Sequence, residues 1–179
     1  GAGLPVEEAS GSMIIDVGGG TTDIAVFSLG DIVVDRTMKI AGDEMDQDII
    51  DYIKTKYNIL IGERSAEDIK IMMGSAVPLK KERKYPVQGR DLLTGLPKTV
   101  ELSSREVREA IMNTISQITD VLKDAIEETP PELLRDLVSS GIYIAGGGAL
   151  IRGLDTFWTQ ELGLPVKVVE DPLTAAARG

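Results

Sequence analysis

The spacing of apolar residues predicts that the chain begins with strands. Three apolar stretches, at residues 13–17, 22–29 and 32–36, have the length of strands, and the second alternates between apolar and polar positions. A Gly-Asp turn separates the last two stretches. The segment D-V-G-G-G-T-T-D, at 16–23, lies between the first two, although three glycines in a row weaken a strand. We therefore predict a three-stranded meander whose first turn is rich in glycine.

Helical spacing follows this meander. Apolar residues recur at intervals of three and four over 43–57 and predict an amphipathic helix. Ser103 and Glu106 have the spacing of a capping box. They predict the start of the longest helix, which extends to Glu128.

Two more helix starts have sequence signals. The segment S-A-E-D, at 65–68, resembles a capping box and is expected to begin a short helix that extends through Met73. Thr129 is expected to be the N-cap of a helix that has Pro130 in its first turn and stops before Gly141. The remaining predicted elements are strands near 84–90 and 97–102, a strand at 142–145, a helix at 149–162 and a strand at 166–169.

The order of these elements predicts an α/β fold. Helices and strands alternate after the meander, as in a mixed sheet with helices packed on it. Residues 74–102 differ in composition, because they carry several prolines and glycines, and they resemble an insertion of loops and short strands. A chain of 179 residues fits one domain, or one domain with such an insertion.

The composition excludes several kinds of chemistry. The formal net charge is −10 and the pI is about 4.5, so the chain repels nucleic-acid phosphates and anionic lipid and favours a cation such as Mg²⁺. The sequence has no cysteine and no histidine, which excludes disulfides, thiolate or imidazole metal sites and histidine-dependent catalytic triads. No apolar run approaches the roughly 20 residues that span a bilayer, and the first residues lack a signal-peptide pattern.

The glycine-rich segment at 16–23 has two interpretations. Bare glycine backbone lets a phosphate approach the amide groups, and Thr21 and Thr22 add hydroxyl donors. Asp16 and Asp23 would repel a phosphate directly, but they can hold a Mg²⁺ ion through water. A plain hairpin turn explains the same glycines equally well on local features alone.

A second glycine run follows the predicted strand at 142–145. In Y-I-A-G-G-G-A-L, at 143–150, the amide groups of a helix start would favour a negative or polar ligand, although tight packing between strand and helix is the simpler explanation. The chain contains no G-x-x-x-x-G-K-[ST] phosphate loop. A dinucleotide-binding fingerprint would need glycine in place of Ile151. Glu170 lies at about the right distance for a ribose-binding acid, but the missing glycine makes this motif weak.

Two charged features also have alternative explanations. Glu67 and Lys70 lie three residues apart on one predicted helix face, where a surface ion pair is a simpler explanation than contact with a nucleotide. The basic run K-K-E-R-K, at 80–84, predicts a solvated loop, and in so acidic a chain it would also suit an acidic neighbour.

Together, the two glycine runs resemble the loops of the actin, sugar-kinase and heat-shock-chaperone superfamily. D-V-G-G-G-T-T-D is similar to its second phosphate loop, and I-A-G-G-G-A-L-I-R-G-L is similar to its adenosine loop. More specific segments resemble MreB, the family of bacterial actins that organises cell-wall elongation: I-A-G-D-E-M-D, I-G-E-R-S-A-E-D-I-K, D-L-L-T-G-L-P, T-P-P-E-L and E-D-P-L-T-A. The resemblance extends over almost the whole chain.

This resemblance implies a ribonuclease-H-like mixed sheet flanked by helices, as in an actin-like ATPase lobe, over 10–38 and 104–179. A smaller α/β subdomain would be inserted at 39–103. The implied cofactors are ATP and Mg²⁺: Asp16 would hold Mg²⁺ through water, and Asp23 would lie near the γ-phosphate. The other implied contacts are Gly18, Gly19, Gly20, Thr21 and Thr22 for the β- and γ-phosphates, Glu67 and Lys70 for the ribose and adenine, and Gly146, Gly147, Gly148 and Ala149 for the adenosine.

Members of the family close two lobes around Mg-ATP, hydrolyse ATP and polymerise into filaments at the inner face of the cell membrane. Their partners include a RodZ-type membrane protein and the cell-wall elongation machinery. This chain resembles the second lobe alone, because the first phosphate loop is not found in it. The resemblance therefore implies a cytoplasmic lobe that does not insert into the membrane, binds nucleotide weakly, hydrolyses ATP negligibly and forms no filaments by itself. The alternatives are a fragment of a sugar- or acetate-kinase phosphotransferase and a module that docks a partner.

Overall fold

Helices and strands alternate along the chain after an N-terminal meander. The computed structural model describes residues 11–169, so Glu170 and the segment E-D-P-L-T-A lie outside the described residues. The elements are β1 (Ser12–Val17), β2 (Thr22–Ser28), β3 (Asp31–Met38), α1 (Gly42–Tyr57), β4 (Ile59–Leu60), α2 (Glu63–Met73), β5 (Lys84–Asp91), β6 (Pro97–Ser103), α3 (Ser104–Glu128), α4 (Pro131–Ser140), β7 (Ile142–Ala145), a 3₁₀ helix (Gly147–Leu150), α5 (Leu154–Leu162) and β8 (Val166–Val168).

A five-stranded mixed sheet forms the larger part of the fold. Its strand order is β3-β2-β1-β7-β8, in which β1, β2 and β3 are antiparallel neighbours and β7 lies parallel to both β1 and β8. Met13, Ile15 and Ile144 on its central strands are fully buried, because helices pack on the sheet. The predicted mixed sheet flanked by helices is confirmed.

The longest helix, α3, packs through the centre of the core. Its apolar face, which includes Ile111, Ile115 and Leu122, is fully buried, and the helix contacts α1, α2, α5 and both sheets. Trp158 of α5 is also fully buried, and its indole N–H donates a hydrogen bond to Thr119 Oγ1 at 2.9 Å. This hydrogen bond satisfies the polar end of a large side chain inside an otherwise aliphatic core.

The residues between β3 and α3 form a smaller α/β unit. Helices α1 and α2 pack together, and β4, β5 and β6 form a separate antiparallel sheet in which β5 is central. The connection at 74–83 leads from α2 to β5 and packs against α3. The Arg108 guanidinium of α3 donates to Ser75 Oγ at 3.1 Å and lies 2.9 Å from Glu82. The division of the chain into subdomains at residues 39 and 103 stays a prediction.

Two predicted helix starts are wrong, each for a local reason. Helix α2 begins at Glu63, after Gly62 as N-cap, so the segment S-A-E-D lies inside the helix and no side chain caps it. Helix α4 begins at Pro131, and Thr129 belongs to the end of α3, where its hydroxyl donates to Ala125 O at 2.8 Å. The Thr129 side chain is therefore unavailable to cap the next helix.

The predicted helix at 149–162 is divided in two. The 3₁₀ helix begins within the second glycine run, at Gly147, and α5 begins only at Leu154. Between them Gly153 has a φ of +74°, and a Cβ at this glycine would lie 2.2 Å from Val77 Cγ2. The backbone thus turns where it packs against the connection after α2. The second glycine run leads into a tight turn rather than into a long helix.

The capping box that predicted α3 is confirmed. Ser103 Oγ accepts a hydrogen bond from the Glu106 amide at 3.2 Å, and Glu106 Oε1 accepts one from the Ser103 amide at 3.0 Å. The Glu106 carboxylate also accepts hydrogen bonds from Lys56, at 2.7 Å, and from Tyr57. Burial acts to raise the pKa of Glu106, but these hydrogen bonds together outweigh burial and lower the pKa to about 2.

Replacing Glu106 by Gln should destabilise the chain in a pH-dependent way. Folding favours the ionised carboxylate, so its contribution is complete above the ordinary pKa of 4.5 and is lost as the pH falls toward about 2. We expect Glu106→Gln to lower the free energy of unfolding by about 2 kcal/mol at neutral pH, and by progressively less below the ordinary pKa. Urea unfolding followed by the fluorescence of Trp158 measures this difference.

Glu127→Gln, on an exposed position of α3, is the matched control for this measurement. It should change the free energy of unfolding little at any pH. A Glu106→Gln effect that is the same at neutral and acidic pH would contradict the assignment of this stability to the ionised carboxylate.

Candidate functional site

The two glycine runs meet at one edge of the larger sheet. Strands β1 and β7 are parallel neighbours, with Asp16 opposite Ala145, so the loops that follow them leave the sheet at the same edge. The loops lie close together: a Cβ at Gly146 would be 2.4 Å from Val17 O and 2.5 Å from Asp16 Oδ1. Gly146 also has a φ of +84°. Tight packing therefore requires glycine at this position, independently of any ligand.

The first glycine loop is held by the N-terminus of α1. Gly18 O accepts a hydrogen bond from the Gly42 amide at 3.0 Å, and Gly19 O accepts one from the Asp43 amide at 2.7 Å. The Gly18 amide donates to Thr21 O at 2.9 Å, which closes the turn between β1 and β2. The start of α1 therefore satisfies the carbonyl oxygens of Gly18 and Gly19 and fixes the position of the loop.

A cavity of about 250 Å³ opens between the two loops. We call it the cleft. Its walls come from the first loop, the start of α1, one face of α2 and the 3₁₀ helix after β7. The lining residues are Gly18, Gly19, Gly42, Asp43, Met45, Asp46, Glu67, Lys70, Ile71, Gly147, Gly148, Leu150 and Ile151. The fold thus encloses one space with four segments that are far apart in sequence.

Lys70 connects the α2 wall of the cleft to the start of α1. Its ammonium donates to Gly42 O at 3.1 Å and lies 2.9 Å from Asp46 Oδ1. Asp46 Oδ1 is buried, and the ion pair with Lys70 compensates its charge. Burial raises the pKa of Asp46, and Lys70 acts in the opposite direction. The ion pair of Lys70 is therefore with Asp46, although Glu67 is nearer in sequence.

Only part of the predicted residue set lines the cleft. The residues that do so are Gly18, Gly19, Glu67, Lys70, Gly147 and Gly148. Those that belong to the two loops but do not line the cleft are Asp16, Gly20, Thr21, Thr22, Asp23, Gly146 and Ala149. Among the latter, Thr22 is fully buried, and its hydroxyl donates to Ile40 O at 2.8 Å, so it holds the loop in place. The roles of all these residues toward a nucleotide stay predictions.

Several cleft residues were not in the predicted set. Asp43 and Asp46 come from α1, Ile71 comes from α2, and Leu150 and Ile151 come from the turn after β7. The segment I-A-G-D-E-M-D contained a signal for the first two, because residues three apart lie on one face of a helix. Ile71 and Leu150 are exposed apolar side chains, and nothing in their local sequence distinguishes them from other exposed positions.

Two carboxylates oppose each other beside the first loop. Asp16 on β1 and Asp23 on β2 are register partners in an antiparallel pair, where like charges are unfavourable. Burial raises the pKa of Asp16, and the negative charge of Asp23 raises it further. Asp23 is exposed and accepts a hydrogen bond from Thr37 at 2.6 Å. The pair concentrates negative charge at this edge of the sheet.

The described residues contain neither a cluster of metal-binding side chains nor a helix that could cross a membrane. Within 11–169, no three acidic side chains lie close enough together to hold a metal ion by themselves. In the same part of the chain, no helix has the length and hydropathy needed to cross a bilayer.

A mixed sheet with two glycine loops at one edge and a cleft between them is the arrangement of the actin-like fold class. MreB5 of Spiroplasma citri bound to ADP superposes with a TM-score of 0.96 at 46% identity, covering 98% of this chain and 54% of that chain. The same protein bound to AMPPNP superposes with a TM-score of 0.95. MamK in a double helical filament, at 23% identity, has a TM-score of 0.79 over 94% of this chain and 52% of that chain and shares the fold.

The sequence identifies the family more narrowly. The whole chain, residues 1–179, matches the profile of the MreB/Mbl protein family. The cell shape-determining protein Mbl of Bacillus subtilis (strain 168) is 46% identical over 179 residues. The chain therefore belongs to the MreB/Mbl family, as the resemblance predicted. It spans about half the length of the curated relatives it matches, with 100% of this chain aligned to 54% of Mbl.

Removing the Lys70 ammonium should destabilise the chain, because Asp46 would stay buried without its ion-pair partner. We expect Lys70→Met to lower the free energy of unfolding by about 3 kcal/mol. The double variant Lys70→Met/Asp46→Leu should recover most of this loss, since it also removes the unpaired charge. Urea unfolding at neutral pH measures both, with Lys54→Met at the exposed end of α1 as control. Equal losses for Lys70→Met and Lys54→Met would contradict this role of Lys70.

Proposed function

We propose that the chain is the second lobe of an MreB-type actin-like filament protein and that its cleft binds ATP. The observation that carries this proposal is the cleft itself, in which two glycine loops and the Glu67 and Lys70 face of α2 line one cavity. The ADP and AMPPNP bound to MreB5 of Spiroplasma citri support it, because that protein is similar in both sequence and fold.

The walls of the cleft suit different parts of a nucleotide. The first loop, at 16–23, offers glycine backbone whose carbonyl oxygens are bound to α1, which suits the β- and γ-phosphates. The second loop, at 145–150, offers bare backbone and apolar side chains, which suit the adenosine. Glu67 and Lys70 on α2 supply polar groups for the ribose and adenine. Lys70 would make this contact while it remains paired with Asp46.

Mg²⁺ fits beside the first loop. Asp16 and Asp23 repel each other when both are charged, and burial further disfavours the charged form of Asp16. A cation beside them would therefore stabilise the pair. In nucleotide sites Mg²⁺ keeps several waters and needs only one or two carboxylates. Asp16 would hold the ion through water, and Asp23 would lie near the γ-phosphate. When bound, the ion would neutralise phosphate charge.

The size of the cleft indicates a half-site. Its volume of about 250 Å³ is below the range of about 300–1,000 Å³ that is usual for ligand pockets. We infer that the first lobe supplies the remaining walls in the longer relatives, so this chain alone binds nucleotide weakly and hydrolyses it negligibly. Closure of two lobes around Mg-ATP would then make the nucleotide an assembly switch for filaments.

The biological role that we propose is the control of rod shape. The relative from Bacillus subtilis is a cell shape-determining protein. By the same reasoning, the intact protein would form cytoplasmic filaments at the inner face of the cell membrane and organise cell-wall elongation, with a RodZ-type membrane protein as a partner. Family membership favours this role over that of a fragment of a sugar or acetate kinase. Transfer of phosphate from ATP to a small substrate would instead reveal such a kinase.

Titration calorimetry of Mg-ATP into the chain tests the proposed cleft. Gly147 is exposed and lines the cleft, so Gly147→Arg should fill it without disturbing the core. We expect a Kd of about 1 mM for the chain and a loss of at least about tenfold in Gly147→Arg. Val138→Arg adds the same charge on the exposed face of α4 and should bind as the unchanged chain does. Equal affinities for all three proteins would exclude the cleft as the site.

Asp16→Asn should remove the effect of Mg²⁺ on ATP binding. With Asp16 present, Mg²⁺ should tighten binding because it neutralises both the phosphates and the paired carboxylates. Without the carboxylate, titrations in Mg²⁺ and in EDTA should give affinities within about twofold of each other. Asp35→Asn, at an exposed position of β3, is the control. A full Mg²⁺ effect in Asp16→Asn would contradict the assignment.

A further inference from the structure

A second concave surface lies on the other side of α2. One cavity of about 360 Å³ lies between α2 and β5, and another of about 350 Å³ adjoins it, because Ile71, Met72 and Tyr85 line both. We call the two together the α2–β5 groove. Ser65, Asp68 and Met72 point into it, whereas Glu67 and Lys70 of the same helix line the cleft. This spacing turns the groove and the cleft to different faces of α2, and the two meet at Ile71, which lines both.

The middle of the groove is apolar. Ile69 and Val87 are buried beneath it, and Met72 is half-buried. Ile71 and Tyr85 at its rim are exposed to 56% and 42%. Apolar and aromatic side chains around a concave surface are the setting in which an anchor residue of a partner binds.

One end of the groove is basic. Arg83, Lys84 and Arg152 line it there, and Lys80 and Lys81 precede them in the connection after α2. Lys84 is 3.9 Å from Glu101, but both side chains are highly exposed, so this pair contributes little. These cations stand out because the chain as a whole carries a net charge of −10.

The one acid in the basic run does not neutralise this end. Glu82 lies 2.9 Å from the Arg108 guanidinium and accepts a hydrogen bond from Ser104 Oγ. The hydrogen bond from Ser104 holds the pKa of Glu82 below its ordinary value. The negative charge of Glu82 is therefore used in the contact with α3. Asp68 lies in the other part of the groove and gives that end the opposite sign of charge.

We propose that the α2–β5 groove binds a short segment of a partner protein that has an apolar anchor followed by acidic residues. The anchor fits against Met72 and Tyr85, and the acidic residues fit against Arg83, Lys84 and Arg152. Asp68 repels acidic residues from the opposite end and so sets the direction of the segment. Charge complementarity carries this choice of partner. The proposal does not rest on nucleotide binding, because Met72, Tyr85, Arg83, Lys84 and Arg152 do not line the cleft.

Fluorescence anisotropy with a defined peptide tests the groove. The probe is fluorescein-labelled Gly-Phe-Leu-Gly-Glu-Asp-Glu-Glu, added to the 179-residue chain at low ionic strength. One control peptide replaces the acids by Gln and Asn, and another replaces Phe and Leu by Ser. We expect the probe to bind and both control peptides to bind at least about tenfold more weakly. Equal binding of all three peptides, or no binding of the probe, would overturn the proposal.

Charge-reversal variants locate the binding. Arg83→Glu/Lys84→Glu changes two exposed side chains, and the hydrogen bonds between Arg83 and Ser104 use the Arg83 backbone, so the fold should be retained. This variant should lose at least about tenfold in affinity. Lys39→Glu/Arg135→Glu makes the same change in net charge at exposed positions elsewhere and should bind the probe normally. Equal losses in both variants would show long-range attraction only and would overturn the proposal.

Two further measurements address other occupants of the groove. Flotation with vesicles that contain anionic lipid tests a membrane surface, and sedimentation velocity of the chain tests a second copy. Neither should depend on Arg83 and Lys84 if the groove accepts an acidic peptide. Vesicle binding or self-association that Arg83→Glu/Lys84→Glu abolishes, without specific binding of the probe, would assign the groove to that occupant instead.

Discussion

The parallel pairing of β1 with β7 is the constraint on which the candidate site depends. The two glycine runs follow these strands, and parallel neighbours end at the same edge of a sheet. Gly146 lies against Val17 and Asp16 so closely that no side chain would fit between the loops. One strand inserted between β1 and β7 would move the loops apart by about 4.8 Å and open the cleft. Backbone pairing, rather than any single side chain, therefore sets the width of the cleft.

Polar contacts connect the other walls to these loops. Lys70 joins α2 to Gly42 at the start of α1, and α1 in turn holds the first loop. Near its other end α2 is joined to the residue pair that follows the second loop: the Arg152 guanidinium donates to Ile71 O at 3.4 Å, and the Ala76 amide, just after α2, donates to Arg152 O at 2.8 Å. Helix α2 is thus connected to the first loop through α1 and to the second loop through Arg152, while another face of α2 lines the α2–β5 groove. A ligand on either face would act on the same helix.

Much of the fold follows from local signals. Alternation and helical periodicity predicted every strand of the larger sheet, and the Ser103 capping box located the start of α3. The errors have two causes: a local hydrogen bond ties Thr129 to the end of α3, and a tertiary contact with Val77 makes the backbone turn at Gly153. Strand β4 has two residues and exists through its pairing with β5, which no pattern within it could indicate.

By itself, the sequence determined the acidic character of the chain, the absence of cysteine and histidine chemistry, the two glycine runs and the family resemblance, because these are properties of composition and of short continuous segments. The set of residues that line the cleft could not be determined in this way. Nothing local shows that Lys70 pairs with Asp46 rather than Glu67, or that Ile71 and Leu150 line one cavity. Only the tertiary structure decided these contacts, because strand pairing and helix packing bring together segments that are distant along the chain.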